Sequence, residues 1–197
     1  MLIIIEGQAR TGKTTLARNL AEMIEKTGQK ANIFKRKERS ENPAVAIIRD
    51  LLPLVIDHTA HWIVDRAHIT EKVYTAYNSR PKAYPDEAID WIDECFAASP
   101  EVILVYLTAD EATLRRRHAD TIRPFEGSIK VLSILFDEAI LDSDIATIQI
   151  DTSGGSELEI AQAVYTMIFN PDNDIRVSFT FASEKEEVWT LPLNGTL

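Results

Sequence analysis

The stretch that decides the fold is Gly7-Gln8-Ala9-Arg10-Thr11-Gly12-Lys13-Thr14, which fits the pattern G-x-x-x-x-G-K-[ST]. A β-branched, apolar run, Leu2 to Glu6, precedes it and predicts a buried strand. The segment from Lys13 to about Thr27 follows it and has apolar residues at helical spacing. A strand before this pattern and a helix after it are the context in which it binds phosphate. The sequence therefore predicts a nucleotide-binding loop at the end of the first strand.

The residue types in the loop suit a triphosphate tail. Glycines let successive backbone N–H groups turn towards a phosphate, and the helix N-terminus adds the positive end of its dipole. Lys13 is expected to reach the β- and γ-phosphates, and the Thr14 hydroxyl to ligate Mg²⁺. The residues that we expect to contact the nucleotide here are Gly7, Ala9, Thr11, Gly12, Lys13, Thr14 and Thr15.

Strands and helices alternate along the rest of the chain. Further strands are predicted at Ala31–Arg36, Trp62–Val64, Glu101–Leu107 and Ile145–Ile150. Helices are predicted at about 43–52, 69–78, 86–98, 128–141 and 157–169. A further helix, capped by Asp110, is predicted to carry Arg115, Arg116 and Arg117. This alternation predicts an α/β fold with a parallel sheet that is covered on both faces.

The end of the chain has a different pattern. Asp174 to Phe181 and Glu187 to Leu193 each alternate apolar and polar residues, with a short polar segment between them. This pattern predicts a β-hairpin over residues 171–197, added to an α/β domain of residues 1–170.

Composition excludes several classes of protein. Of the 197 residues, 45% are apolar and 26% are charged, so a disordered chain is excluded. The longest apolar runs are far shorter than the roughly 18 residues of a membrane span, and we expect neither a signal peptide nor a membrane partner. Cys95 is the single cysteine, which fits a reducing compartment, the cytoplasm. The net charge of −10 argues against broad binding of duplex nucleic acid, although a local basic groove stays compatible with it.

Two further sites carry candidate catalytic residues. Asp65-Arg66 stands at the end of the third predicted strand, where open α/β sheets bind ligands. The Asp65 carboxylate could hold Mg²⁺ or accept a proton, and the Arg66 guanidinium could hold phosphate oxygens; the alternative is a surface ion pair. Arg10 would place a second cation beside the γ-phosphate unless it points into solvent. The predicted catalytic set is Lys13, Arg10, Asp65 and Arg66.

Two basic segments have more than one possible function. Lys35 to Arg39 carries four positive charges in five residues, which suits an acceptor phosphate, a nucleic-acid backbone or a solvated loop. Arginines at 115, 116, 117 and 123 flank a break between two helices, which predicts a lid at about 115–127 that closes over the nucleotide. Three consecutive arginines cannot share one helical face, so at least one of them is expected to be solvated only.

Together, these residues resemble the thymidylate kinase branch of P-loop nucleotide kinases. The likeness covers about Leu2 to Phe169 and rests on five features: the loop at 7–14, Glu38-Arg39-Ser40, Asp65-Arg66, the arginine-bearing lid, and the turn at Asp151 to Gly154. The resemblance implies a three-layer P-loop kinase fold with a five-stranded parallel sheet, and Mg²⁺-dependent phosphate transfer from ATP.

The resemblance also implies roles for individual residues. Arg10 would act on the transferring phosphoryl group, Thr14 and Asp65 would serve the metal, and residues 151–154 would lie near adenine. Arg115 and Arg117 would contact ATP from the lid. The residues expected on the acceptor side are Arg39, Arg49, Arg66, His68 and Arg123.

Two departures from the family affect the acceptor. Ala9 stands where members with a loop arginine usually have an acidic residue that contacts the acceptor sugar. The connection between Arg49 and the third strand is also too short for the helix that holds thymine in the family. We therefore expect a more open acceptor pocket, lined by His68, Glu71, Tyr74 and Tyr77.

Three functions are compatible with these features. The first is a kinase for a pyrimidine deoxynucleotide, which is a small-molecule acceptor. The second is suggested by Asp65 to Glu71, which is similar to phage-type relatives: a kinase that phosphorylates a hydroxymethylated pyrimidine within DNA, in the host cytoplasm if the chain is phage-encoded. The third is a non-enzymatic nucleotide-binding module. A homodimer and a monomer are both compatible with the sequence.

Overall fold

The first strand, β1 (Leu2–Glu6), is buried along its whole length because it forms the middle of a five-stranded sheet. The computed structural model describes residues 1–35, 43–78, 86–119 and 128–170. The sheet order is β2-β3-β1-β4-β5, and every pair of neighbours is parallel. The other strands are β2 (Ala31–Phe34), β3 (His61–Asp65), β4 (Val102–Thr108) and β5 (Thr147–Asp151). The predicted five-stranded parallel α/β fold is confirmed.

Seven helices lie in the described part of the chain and cover both faces of the sheet. They are α1 (Lys13–Lys26), α2 (Pro43–Val55), α3 (His68–Tyr77), α4 (Asp86–Ala97), α5 (Glu111–Ala119), α6 (Ile129–Leu141) and α7 (Glu157–Phe169). No helix within these described residues is long and apolar enough to cross a membrane.

The alternation of side chains along β1 divides the core between the two faces. Ile3 and Ile5 pack in one cluster with residues of α1 and α7. Leu2 and Ile4 face the other side, where α2 and α4 cover the sheet. A third cluster on that second side joins α3 and α6 around Phe136. Each fully buried isoleucine of β1 contributes about 1.5–3 kcal/mol relative to an exposed position, so the central strand is firmly anchored.

The parallel arrangement brings the ends of all strands to one edge of the sheet. Gly7 follows β1, Lys35 follows β2, Arg66 follows β3 and Thr152 follows β5. Open α/β sheets bind their ligands at this carboxyl edge. The fold therefore collects residues that are far apart in sequence at a single site.

The ends of several elements differ from the sequence-based expectation. β2 ends at Phe34 rather than Arg36, and Lys35 leaves the strand to contact the site. β5 begins at Thr147 rather than Ile145, and the Ile145 side chain is buried in the cluster that includes residues of α2 and α4. α2 continues past Leu52 to Val55 and contains Pro53. Because proline has no N–H, Pro53 removes one i→i−4 hydrogen bond from the last turn of this helix.

Part of the prediction falls outside the described residues. The predicted hairpin of residues 171–197 lies there, and so do residues 120–127 of the predicted lid. Residues 56–60 connect α2 directly to β3 without a further helix, as the short spacing predicts. The domain boundary at residue 170 stays a prediction.

Candidate nucleotide-binding site

Close backbone packing makes Gly7 necessary at the start of the loop. Its φ is +136°, a value that side chains other than glycine rarely adopt, and a Cβ at this position would lie 2.3 Å from the Leu107 carbonyl oxygen of β4. Gly12, at the N-terminus of α1, has a φ of +96°. The two glycines let the loop turn sharply between β1 and α1, and the N–H groups that begin the helix are available to a phosphate.

Lys13 folds back over the loop. Its Nζ donates hydrogen bonds of 2.6 Å to the carbonyl oxygens of both Gly7 and Gln8, and the side chain is almost fully buried. Burial, together with the charge of Arg66, lowers the pKa of the Lys13 ammonium to about 7, although Glu6 and Asp65 act in the opposite direction. A bound triphosphate would favour the charged form, so ligand binding and protonation of Lys13 support each other.

Thr14 and Asp65, the two predicted metal ligands, lie in direct contact. The Thr14 hydroxyl donates a 2.6 Å hydrogen bond to Asp65 Oδ2. Burial alone would raise the pKa of Asp65, but the hydrogen bonds from Thr14 and Lys35 and the positive charges nearby hold it below its usual value. Asp65 Oδ1 is buried and has no hydrogen-bond partner among the described residues. A hydroxyl and an ionised carboxylate with a free oxygen fit the oxygen ligands that Mg²⁺ prefers.

Arg10 and Arg66 share an unusual backbone conformation. Their φ values are +72° and +78°, in the left-handed region, whereas both residues have bulky side chains. The Arg66 N–H donates to the Ile5 carbonyl oxygen at 3.1 Å, which ties this turn to the central strand. Strained residues of this kind concentrate at functional sites. Both arginines line the same cavity as Lys13.

Glu6 is a site residue that the sequence analysis missed. Its carboxylate is fully buried and accepts hydrogen bonds from the backbone N–H groups of Ala67, at 2.8 Å, and Thr70, at 3.2 Å, and from the Thr70 hydroxyl. These bonds join the end of β1 to the first turn of α3, directly after Arg66. The available signal was a charged residue that ends an otherwise apolar, buried strand.

Arg117, one of the arginines of the predicted lid, reaches the loop. Its guanidinium donates to the Arg10 carbonyl oxygen at 3.1 Å and to the hydroxyl and carbonyl oxygens of Thr152 at 3.0 and 2.6 Å. The buried Thr152 hydroxyl lies 3.0 Å from the Thr11 carbonyl oxygen, to which it can donate. Arg115 instead bonds Glu111 on its own helix and is largely exposed.

A cavity of about 640 Å³ lies over the loop, which is within the roughly 300–1,000 Å³ of typical ligand sites. It contains almost all of the residues predicted to bind the nucleotide. The lining includes Ala9, Arg10, Thr11, Gly12, Lys13, Thr14, Thr15, Arg66 and Arg117. Thr152, Glu157 and Ile160 complete the side formed by β5 and α7, next to the turn at 151–154 that the resemblance places near adenine.

The predicted acceptor residues do not come together in the same way. Arg39 and Arg123 lie outside the described residues. Arg49 is exposed on α2 and bonds the neighbouring Asp50 at 2.6 Å. His68 is fully buried, lies 2.8 Å from Asp93 through Nε2 and packs against Phe96, and it is not among the residues that line the cavity. Among the described residues, Arg66 is therefore the acceptor-side candidate that lines the cavity over the loop. The roles of the other four candidates stay predictions.

Comparison with known proteins supports the fold. No family model matches the chain, and no curated protein matches it. Among solved structures, the YorR protein from Bacillus subtilis, in complex with phosphorylated GDP, has a TM-score of 0.66 at 23% identity. That match covers 85% of this chain and 95% of YorR. Thymidylate kinase from Ehrlichia chaffeensis has a TM-score of 0.52 at 14% identity, over 85% of this chain and 98% of that one. The chain therefore has the fold of P-loop nucleotide kinases.

Proposed function

We propose that this protein is a Mg²⁺-dependent phosphotransferase that moves the γ-phosphate of ATP to a pyrimidine deoxynucleotide. The observation that carries the proposal is the buried Lys13 ammonium, held on the carbonyl oxygens of Gly7 and Gln8 at the floor of a cavity lined by Arg10, Arg66 and Arg117. Four cationic side chains in one cavity suit a phosphoryl group in transfer, because catalysis of this reaction depends on positioning and on neutralising negative charge.

Each residue of the site has its own proposed role. Backbone N–H groups of the loop and Lys13 would bind the β- and γ-phosphates, while Arg10 and Arg66 would stabilise the charge that spreads over the transferring group. Thr14 and Asp65 would hold the magnesium ion. When bound, that ion neutralises phosphate oxygens and orients them.

The charge of the cavity suits a phosphate as the acceptor group. The phosphate of a nucleotide is already ionised near pH 7, so its oxygen attacks without a base, whereas a hydroxyl acceptor benefits from one. Arg10, Arg66 and Arg117 line the cavity, and guanidinium groups can hold the oxygens of an acceptor phosphate. This argument supports a nucleotide acceptor over a hydroxymethyl group in DNA.

The test uses ATP labelled at the γ-phosphate, magnesium and a panel of acceptors. The panel contains thymidine, uridine and cytidine deoxynucleotides, their nucleosides and duplex DNA with hydroxymethylated pyrimidines. It also contains guanine nucleotides, because the YorR structure holds phosphorylated GDP. We expect label to move to a pyrimidine deoxynucleotide. Label only in DNA would favour the modified-base kinase, and binding without transfer to any acceptor would favour the non-enzymatic module.

A pair of lysine variants controls this assay. Lys13→Ala removes the phosphate-binding ammonium and is expected to abolish transfer while circular dichroism shows an intact fold. Lys30→Ala removes the same charge from an exposed position before β2 and should leave transfer unchanged. Unchanged turnover in Lys13→Ala would contradict the proposed chemistry.

A further inference from the structure

Lys35 contacts both candidate metal ligands, Thr14 and Asp65, although the sequence did not single it out as an individual site residue. Its Nζ lies 3.2 Å from Asp65 Oδ2 and 3.3 Å from the Thr14 hydroxyl oxygen. These two oxygens belong to the two residues that fit a magnesium ion. The lysine ammonium thus lies against the same oxygen pair that the metal would use.

The fold itself brings Lys35 to this position. β2 pairs with β3 in parallel register, with Phe34 beside Val64, so the next residues of the two strands, Lys35 and Asp65, reach the carboxyl edge side by side. The lysine stem then spans the short distance to Thr14 at the start of α1. This arrangement follows from strand register, and it is independent of the basic residues that follow Lys35 in the sequence.

The ion pair between Lys35 and Asp65 differs from an ordinary surface ion pair. The Asp65 side chain is only 1% exposed, whereas that of Lys35 is 54% exposed. A buried carboxylate needs a cationic partner, because burial without one is strongly unfavourable. Arg66 lies at 3.9 Å from the other carboxylate oxygen and is a weaker partner by distance. Lys35 is therefore the close cation of Asp65, and its half-exposed position leaves it free to move away.

We infer that the Lys35 ammonium occupies the cation position between Thr14 and Asp65 and excludes a divalent metal until a triphosphate binds. A lysine ammonium is a compact point charge, and a metal ion that binds the same two oxygens must displace it. Without nucleotide, Lys13, Lys35 and Arg66 surround the site with positive charge, which disfavours a divalent cation. A triphosphate reverses the local charge, so metal and nucleotide enter together. The inference rests on the proposed function for its biological meaning and on these contacts for its physical basis.

The test measures metal affinity in the absence of nucleotide. Mn²⁺ replaces Mg²⁺ as the probe, and electron paramagnetic resonance reports the free ion during a titration of the full chain. We expect weak binding by the wild-type protein. Lys35→Met keeps most of the hydrophobic stem and removes the charge, and we expect it to bind Mn²⁺ at least about tenfold more tightly, because a positive charge in contact with the ligands is lost.

Two controls make the outcome decisive. Lys30→Met removes one positive charge at the opposite edge of the sheet and should bind Mn²⁺ as weakly as the wild type. The double variant Lys35→Met with Asp65→Asn should lose the gained affinity. If Lys35→Met does not fold, Lys35→Gln is used with the same expectation. Equal affinities in folded Lys35 variants and wild type, or tight Mn²⁺ binding by the nucleotide-free wild type, would overturn the inference. Neither result depends on phosphate transfer, so failure of the proposed function would be seen separately in the transfer assay.

Discussion

Lys13 carries the positive charge that we propose for phosphate binding, but the burial of its side chain disfavours that charge. The ammonium is almost fully buried, and this burial is the main cause that lowers its pKa to about 7 from the ordinary value of 10.5. Below pH 7 the side chain is charged in both the folded and the unfolded protein, so the cost of burying the charge is fully present. Between pH 7 and 10.5 the unfolded chain binds the proton more strongly, so the free energy of unfolding rises with pH.

We predict that this contribution disappears in Lys13→Met. Between about pH 7.5 and 9.5, the free energy of unfolding of the wild type should rise relative to that of the variant by roughly 1 kcal/mol per pH unit. Urea unfolding at a series of pH values measures the difference, in which titrations common to both proteins cancel. Lys30→Met serves as the control and should follow the wild type. Parallel curves for wild type and Lys13→Met would contradict the lowered pKa of Lys13.

Gly7 has a steric role that can be tested with a matched glycine. In Gly7→Ala, the new Cβ would lie 2.3 Å from the Leu107 carbonyl oxygen, at a φ that is strained for alanine. We expect a loss of about 2–4 kcal/mol in the free energy of unfolding and loss of nucleotide binding. Gly154→Ala places its Cβ in open space and should change stability by less than about 0.5 kcal/mol. Urea unfolding and calorimetric titration with an ATP analogue measure both effects, and similar stabilities for the two variants would refute the steric argument.

We predict that Glu6 is a positioning residue, because its fully buried carboxylate bonds the segment that follows Arg66. Glu6→Gln keeps the size of the side chain but replaces one acceptor oxygen with a donor that faces the N–H groups and hydroxyl of α3. Since Arg66 lies two residues before the start of α3 at His68, we expect kcat to fall about tenfold while KM for ATP changes less than twofold, with a stability loss of about 1–3 kcal/mol. Steady-state kinetics separates the two constants. Thr70→Ser retains the hydroxyl as a control, and an unchanged kcat in Glu6→Gln would remove the positioning role.

At the scale of elements, one hydroxyl connects four segments of the chain. The Thr152 hydroxyl lies between the carbonyl oxygens of Thr11 and Thr108 and accepts a hydrogen bond from Arg117. The phosphate loop, β4, α5 and the turn after β5 therefore meet at this side chain, which is buried beside the cavity. Its position connects the loop cavity to Arg117, in the first part of the predicted lid.

We predict that Thr152→Val weakens ATP binding about five- to twentyfold. The valine keeps the shape of threonine, so the effect isolates the hydroxyl and the loss of about 1–2 kcal/mol from its hydrogen bonds. Thr152→Ser should bind within about twofold of the wild type. Calorimetric titration with a non-hydrolysable ATP analogue makes the comparison. Equal affinities of the valine and serine variants would show that the hydroxyl does not organise the loop.

The elements that could be predicted from the sequence are those specified by neighbouring residues. β1, the loop and the start of α1 follow from Gly7, Gly12, Lys13 and the apolar run before them. α7 follows from its apolar spacing, and the structure adds a capping box at Ser156 and Glu159. No local sequence pattern indicated the contacts between segments that are far apart in the chain. The bonds of Glu6 to Thr70 and of Arg117 to Thr152 depend on strand order and on how the helices pack, which the sequence pattern does not contain.

On the acceptor side, the sequence pattern also did not show which side chains face the interior. His68 stands in a motif that predicts a site residue, yet its ring packs on Phe96 and pairs with Asp93 in the interior. Helical spacing alone could not show which face of α3 is covered by α4. Lys35 illustrates the opposite case, in which a residue within a basic run reaches the site because of strand register.

At the scale of the whole molecule, the apolar core of the described residues is formed by the α/β part of the chain. The three apolar clusters consist of residues from β1 to α7 and include Val164, Ile168 and Phe169. α7 ends at Phe169, and the backbone N–H of the capping residue Asn170 donates to the Thr166 carbonyl oxygen at 2.8 Å. The cavity over the loop is likewise lined by residues between Ala9 and Ile160. Residues 171–197 lie outside the described part of the chain, so the boundary at residue 170 stays a prediction that truncation can test.

We therefore predict that a chain ending at Asn170 folds and binds nucleotide. Its free energy of unfolding should lie within about 1 kcal/mol of the full chain, and its affinity for an ATP analogue within about twofold, because the described apolar core and the loop cavity are retained. A chain ending at Ile160 is the control: it removes Val164 and Ile168 from the core, where their loss costs several kcal/mol, and it should not fold. Urea unfolding and calorimetric titration measure both chains. If the chain ending at Asn170 lost more than about 3 kcal/mol in its free energy of unfolding, residues 171–197 would belong to the cooperative core. The domain boundary would then have to be moved to the end of the chain.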